Sequence, residues 1–302
     1  MIVVAGEALI DLIVSLDGSG VPAPGGGPYN TARTIGRLGA AVSFLGCLSD
    51  DRFGRLLRAR LESDGVDTRL VVATSRPTTL VLAEIDAQGV AHYRWYVAGT
   101  SAPGLSLEAA RLGLVPPPEA LHVGTLGLTL EPIADSLAVM VSETPVETLV
   151  MVDPNCRPRA VPDIDRYRER ILRVLRRADI VKASAEDLDF LSLASSHADA
   201  AGRLLAAGSR AVLVTHGGDG VDVHWPGGRL KVGVPRVRVV DSVGAGDAFG
   251  GAFLARWLEL GLGRDELDDG PRLAETAGFA ARVASMTCQR AGAEPPSRAD
   301  LT

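Results

Sequence analysis

The sequence predicts an α/β fold built on a mostly parallel central sheet, with a small second β unit standing off it. Three observations predict it. Short apolar runs without polar alternation recur along the chain, as strands buried on both faces require. Amphipathic stretches with apolar residues three and four apart separate them. Two β-rich, partly alternating segments break that rhythm.

The buried-strand pattern is carried by Ile2–Ala5 (IVVA) and by residues 42–46 (VSFLG), 121–124 (LHVG), 149–152 (LVMV), 179–182 (DIVK) and 212–215 (VLVT). Between them, Phe53, Leu56, Leu57 and Leu61 fall on one helical face after Asp50 and Asp51, both possible caps. Residues 165–177 and 199–207 also read as helices. Strand–helix alternation of this kind places helices on both faces of the sheet. The interruptions are 78–85 and 91–97, joined by Asp86-Ala87-Gln88-Gly89 as a hairpin turn. With 10–16 they are expected to form a small antiparallel sheet. Residues 221–232, turning at Gly227-Gly228, read as a second hairpin near the C-terminal edge, and 237–240 as a β-rich stretch.

In open α/β sheets, ligands bind outside the carboxyl ends of the strands. Those ends carry Asp153, Lys182 and Thr215. The segment richest in chemistry is Asp241-Ser242-Val243-Gly244-Ala245-Gly246-Asp247-Ala248-Phe249, followed by an apolar helix. Small residues at 244–246 allow a tight turn and leave backbone N–H groups free at the helix start. Such a turn is an anion site, suited to a transferring phosphoryl group, with the Asp247 carboxylate beside it. Read alone, Asp247 divides evenly between a catalytic base and a helix cap. A Walker loop is excluded because the chain contains no Gly-Lys pair. A dinucleotide fingerprint is excluded because Gly244-x-Gly246 lacks the third glycine and comes too late. The second segment is Gly25-Gly26-Gly27-Pro28-Tyr29-Asn30-Thr31-Ala32-Arg33. Here Asn30 is either an ordinary helix cap, the commoner outcome for a lone Asn, or a donor and acceptor for sugar hydroxyls.

These two segments resemble the N-terminal and C-terminal signatures of the ribokinase, or PfkB, family of carbohydrate kinases. The second reads D-S-V-G-A-G-D-A-F where the family favours D-T-x-G-A-G-D-x-F, and the resemblance spans essentially the whole chain. It implies a ribokinase-like three-layer αβα sandwich forming a single domain over 1–302, with a β-lid from about 10–24 and 72–100. It implies ATP and Mg2+ as cofactors, K+ in several relatives, and a homodimer formed through the lids. By the same resemblance, Asp247 is the base and the amides of Gly244, Ala245 and Gly246 form the anion hole. Asp11, Asn30 and the Gly26-Gly27 backbone hold sugar hydroxyls. Thr215, Gly217 and Gly220 match the family's T-x-G-x-x-G nucleotide turn, where His216 is incidental. Lys182 and Ser184 fall on the nucleotide side. The family's N-x-x-E element appears altered as Ser184-Ala185-Glu186-Asp187, so either Glu186 or Asp187 serves magnesium, through water or phosphate. Asp241, Val243, Arg290 and Gly292 match backbone positions that bind potassium.

Asp153-Pro154-Asn155-Cys156-Arg157 resembles the D-P-N-x-R stretch of fructokinases and 2-keto-3-deoxygluconate kinases. Arg157 is assigned to the substrate, where a guanidinium fork holds phosphates or a carboxylate. Fructose or a similar ketose leads the substrate ranking, ahead of ketodeoxygluconate, ribose and a nucleoside. Arg94, in His92-Tyr93-Arg94-Trp95-Tyr96 on the lid hairpin, is a further substrate contact, while the aromatics either meet substrate or pack the lid. Two rival readings remain: a catalytically silent sugar-binding regulator, supported only by the altered Ser184/Asp187 element, and a Rossmann oxidoreductase, which lacks a fingerprint.

Composition sets the outer bounds. The 302 residues are 46% hydrophobic and 23% charged, with net charge −6, which favours a globular chain and disfavours a nucleic-acid partner. Lys182 and Lys231 are the only lysines. Cys47, Cys156 and Cys288 are too scattered for a disulfide framework or metal site. The N-terminus lacks a basic n-region, and no apolar run reaches the ~20 residues of a membrane span. A cytoplasmic location is the expectation, with no membrane and no nucleic-acid partner.

Overall fold

The computed structural model describes residues 1–85 and 91–301. Strand β1 (Ile2–Ala5), the penultimate strand of the main sheet, is wholly buried, as its unbroken apolar sequence requires. The chain then leaves that sheet for β2 (Leu9–Val14) and β3 (Gly20–Gly25), an antiparallel pair in the lid. It returns through α1 (Gly27–Arg37) to β4 (Val42–Leu45), parallel to β1. A short pair, β5 (Cys47–Ser49) and β6 (Val72–Thr74), brackets α2 (Arg52–Ser63). Of the two aspartates before α2, Asp51 is the cap: its carboxylate accepts the Gly54 N–H at 2.8 Å, an arrangement that stabilises a helix by about 1 kcal/mol.

The lid is completed by β7 (Leu80–Ile85) and β8 (Ala91–Tyr96). The expected turn at Asp86-Ala87-Gln88-Gly89 lies outside the described residues. Next come α3 (Leu107–Leu112), β9 (Ala120–Gly124), α4 (Ile133–Glu143), β10 (Leu149–Asp153), α5 (Ile164–Arg177) and β11 (Ile180–Ser184). Then follow α6 (Ala185–Leu191), α7 (His197–Ala206), β12 (Ala211–Thr215), the hairpin β13 (Val221–Trp225) and β14 (Gly228–Val232), α8 (Ala245–Glu259) and α9 (Gly270–Thr287).

The main sheet has eight strands in the order β14-β13-β12-β11-β10-β9-β1-β4, parallel except for the β13–β14 hairpin at one edge. Alternate strand residues divide the core in two. Ile2, Val4, Phe44, Met151 and Leu213 pack with α1, α8 and α9. Val3, Ala5, Val123, Val152 and Val214 pack with α4, α5 and α7 on the other face. The three layers follow from strands that are apolar on both sides.

Two expectations are corrected. The lid sheet, ordered β3-β2-β7-β8, is mixed, because β2 and β7 run parallel. Parallel neighbours need a long crossover, and here the α1–β6 excursion supplies it. Residues 237–240 form no strand; Val239 and Val240 are 60% exposed, and the Val240 N–H goes to the Cys288 carbonyl at the end of α9.

Candidate active site at the carboxyl edge of the sheet

The strand order reverses at β1, with β4 on one side and β9 on the other, which opens a crevice at the carboxyl ends. Above it lies a cavity of about 590 Å³, whose walls include Asp11, Asn30, Asn155, Arg157 and Asp247. The lid forms its roof. Lid residues pair across the strands as Ala23–Asp11–Val81–Trp95 and, one row further out, Val21–Ile13–Ala83–Tyr93. Asp11, Ile13, Ala23, Val81, Ala83, Tyr93 and Trp95 all face the cavity.

Asp247 enters from the first turn of α8 and is buried. The helix starts at Gly244, whose φ of 77° is a left-handed conformation, and a Cβ there would stand 2.5 Å from that of Ala293. Only glycine fits. The turn leaves the Gly246 and Asp247 N–H groups without intrahelical acceptors, whereas Ala245 N–H makes a long 3.3 Å contact with the Ser242 carbonyl. Asp247 Oδ2 accepts the Asn30 amide at 2.9 Å, and Oδ1 accepts the Asn155 amide at 3.4 Å. Burial raises the Asp247 pKa above the ordinary carboxylate range, while Asn30, Lys182 and Arg157 act against that rise.

Other charges crowd the same space. Burial pushes Asp11 up to about 6, with Arg157 opposing and Asp247 adding to the rise. Lys182 is buried on β11, donates to Asp153 Oδ2 at 2.8 Å, and packs so closely under the turn that a Cβ on Gly246 would lie 2.8 Å from its Nζ. Burial works against its charge and Asp153 holds it; the Lys182 pKa is raised. An ammonium and a helix N-terminus therefore meet at one point, an electrostatic setting for an anion.

On the other side of the turn, Thr215 ends β12 and precedes a tight loop in which Gly217 and Gly220 have φ of 55° and 117°. His216 is held by Asp222 at 3.0 Å. Ser184 caps α6 in a reciprocal box with Asp187.

A model of the pfkB family carbohydrate kinases matches residues 1–300. The chain belongs to that family. Among curated relatives, it is 35% identical to a fructokinase of Rhizobium leguminosarum bv. trifolii, over 84% of this chain and 79% of the relative. It is 33% identical to fructokinase-1 of Oryza sativa subsp. japonica, over 98% and 94%. Among solved structures, a Xylella fastidiosa fructokinase with bound ATP superposes with a TM-score of 0.88 at 30% identity, covering 97% of this chain and 93% of that one. A Vibrio cholerae O395 fructokinase with fructose, ADP and calcium ion gives 0.84 at 26% identity, covering 97% and 94%.

In this carbohydrate kinase the structure corrects several residue assignments. Asn30 is no cap: α1 begins after Gly26, and Asn30 reaches Asp247 from inside the helix. The Gly27 N–H is already donated to Glu7 at 2.9 Å, so it is not open to a sugar. Arg94 lies on the outer lid face, 66% exposed and paired with Glu84 at 2.7 Å; strand alternation gives the cavity to its neighbours Tyr93 and Trp95. Asp187 is taken up by the Cys156 N–H at 2.6 Å and the Ser184 N–H at 2.8 Å, which leaves the exposed Glu186 as the free carboxylate on α6. Arg290 contacts the Pro295 carbonyl and Asp300. Asp241 accepts the Gly292 N–H at 2.9 Å and the Val243 N–H at 3.0 Å, which draws the 241–243 and 290–292 loops together. Sequence reasoning missed Glu7, Thr125 and Asn155. Asn155 stands in the D-P-N-x-R stretch, next to residues that were singled out, and offered a signal. Glu7 and Thr125 offered none.

Among the described residues no group of three or more acidic, His or Cys side chains converges as a metal site, and no helix is long and apolar enough to cross a membrane.

Proposed function

We propose that this carbohydrate kinase transfers the γ-phosphoryl group of ATP to a hydroxyl of fructose, with Asp247 as the base. The observation that carries the reading is the Asp247 carboxylate, aimed by two amides into a lidded cavity beside free N–H groups at a helix start. Fructokinases dominate the relatives, and solved ones hold ATP, ADP and fructose. The sugar lies under the lid against Asp11, Asn30 and Asn155, and the nucleotide along the Thr215–Gly220 turn. The attacking hydroxyl oxygen bonds to the γ-phosphorus as the bond to the ADP oxygen breaks, and Asp247 accepts the hydroxyl proton. A loose transition state needs alignment and charge stabilisation above all, which the Gly246 and Asp247 amides and Lys182 supply.

Magnesium fits as a partner of the phosphates and not as a protein-caged ion, since the only free carboxylate on α6 is Glu186; it would neutralise phosphate charge there. The paired loops at Asp241 and Gly292 fit a monovalent ion such as potassium held by backbone carbonyls of 241, 243, 290 and 292. The free cysteines accord with a cytoplasmic, reducing setting. The exposed lid row, with Val21 at 63%, Tyr93 at 48% and Ile13 at 41% exposure, is the surface through which two copies pair. Val21→Asp is expected to yield monomers in analytical ultracentrifugation; a monomeric parent protein would remove the proposal.

Arg157, at the cavity wall, favours one second reading, a sugar acid such as ketodeoxygluconate. An ATP-consumption panel of fructose, ketodeoxygluconate, ribose and a nucleoside decides. Fructose is expected to lead in kcat/KM by at least about tenfold, the smallest step that a single lost pocket contact gives. A lead for any other member replaces the ketose.

A further inference from the structure

Glu7 sits two residues beyond the end of β1, fully buried at the floor of the crevice. Its two carboxyl oxygens accept two backbone amides from different elements: Gly27 N–H at 2.9 Å and Gly127 N–H at 2.7 Å. Gly27 is the first residue of α1, whose own cap, Gly26, has no side chain to offer. Glu7 therefore caps that helix from outside, where a carboxylate also suits the helix dipole. Gly127 belongs to the turn Thr125–Leu128, which opens with Thr125 at a φ of 52°.

One element carries a donor to the Asp247 carboxylate, and the other carries a group that holds the second donor. From α1, Asn30 donates to Asp247 Oδ2 at 2.9 Å. From the turn, Thr125 Oγ1 accepts the Asn155 amide at 3.3 Å, and that amide also meets Asp247 Oδ1 at 3.4 Å. The two elements touch directly, since a Cβ on Gly27 would stand 2.1 Å from Thr125 Oγ1. One carboxyl thus ties together both supports of Asp247. A buried carboxyl is a costly way to hold two amides, and an apolar side chain would leave both unsatisfied.

We propose that Glu7 is a positioning residue for phosphoryl transfer, its carboxyl fixing the two amide arms that aim Asp247. The proposal rests on the reading of Asp247 as base. Burial pushes Glu7 up to about 8, its two amide donors oppose that, and the Asp247 charge adds to it, so the two carboxyls also sense one another.

The test is Glu7→Gln, which keeps shape and one acceptor, assayed beside Asp247→Asn, Asn30→Ala and the Glu7→Gln/Asn30→Ala pair. The expected result is a fall in kcat of about 10- to 100-fold, the scale of an ångström of misplacement, with sugar and ATP KM within a few-fold of the parent. The double variant is expected to lose less than the two single losses combined, because part of the Glu7 effect passes through the Asn30 arm. Hydrogen exchange at the Gly27 and Gly127 amides should rise. Parent-like kcat in Glu7→Gln, or additive losses in the pair, overturns the proposal. If Glu7→Gln does not fold, Glu7→Asp withdraws the carboxyl by one methylene and is judged by the same kcat and KM readouts. Normal turnover in Asp247→Asn instead overturns the base assignment, so the two failures are distinguishable.

Discussion

At the scale of single residues, Asp247 combines burial with two amide donors, and its pKa is raised because burial outweighs them. Asp247→Asn is expected to lower kcat by about 10²- to 10⁴-fold, the usual worth of a positioned base, with sugar binding retained by calorimetry. A raised pKa on the proposed base also fixes a sign: kcat/KM must fall toward acid, with its limb displaced upward from that of an ordinary aspartate. A profile flat down to pH 4 contradicts it. Asp11 allows a separate check on stability. Its folded pKa of about 6 exceeds the ordinary value of 3.8, so the folded state binds its proton more tightly than the unfolded chain. The resulting stability is complete below pH 4 and is lost as pH rises through 6. Asp11→Asn should therefore stabilise the free protein at pH 7 on the order of 2 kcal/mol, and the gain should vanish by pH 4. Thermal melts across that range decide, and a gain independent of pH refutes the assignment. Asp247 was legible in the sequence because its glycine turn is local. Its partners were less so: Asn30 looked like a cap, and Asn155 arrives from a different strand end, a meeting that only the sheet order brings about.

At the scale of elements, the site depends on how closely α1 and α8 approach the strand ends. Gly27 is the tightest point, with no room for a methyl group against Thr125 and with Asp247 Oδ1 3.3 Å from where that methyl would lie. Gly27→Ala must push α1 outward and carry Asn30 with it. Activity is expected to fall about 10²-fold, with kcat affected at least as strongly as KM. Unchanged kinetics would show that the contact relaxes freely. Element type and order were readable because buried strands and amphipathic helices leave contrasting periods. Two features were not. The parallel pairing of β2 with β7 depends on a long crossover, residues 15–79, and pairing direction leaves no mark in either strand's composition. The side on which Arg94 falls depends on register, where one step exchanges inner and outer faces, and so the cavity received Tyr93 and Trp95.

At the scale of the molecule, a three-layer body carries a four-stranded lid that covers the cavity with a mostly apolar face. The sequence showed the lid's existence through its broken rhythm; how far it reaches over Asp247 became visible only with the strand pairing in hand. The body is tied to the lid near Thr78, whose N–H and hydroxyl both bond Asp51, the cap of α2. Trp95 stands in the inner row, stacked on Tyr93 with ring centroids 6.4 Å apart, and its indole N–H is buried without a hydrogen-bond partner among the described residues. An indole donor at a cavity wall is poised for a sugar oxygen, and a lid that closes on substrate would exclude the water that otherwise takes the phosphoryl group. Sugar binding should therefore change tryptophan emission through Trp95, since Trp257 is fully buried in the core and Trp225 lies on the distant edge hairpin. Trp95→Phe should abolish that change, raise the sugar KM, and increase ATP hydrolysis relative to sugar phosphorylation. A fluorescence response that persists in Trp95→Phe would mean that another tryptophan reports binding, and unchanged KM and ATP hydrolysis in that variant would remove Trp95 as the lid's contact to the sugar.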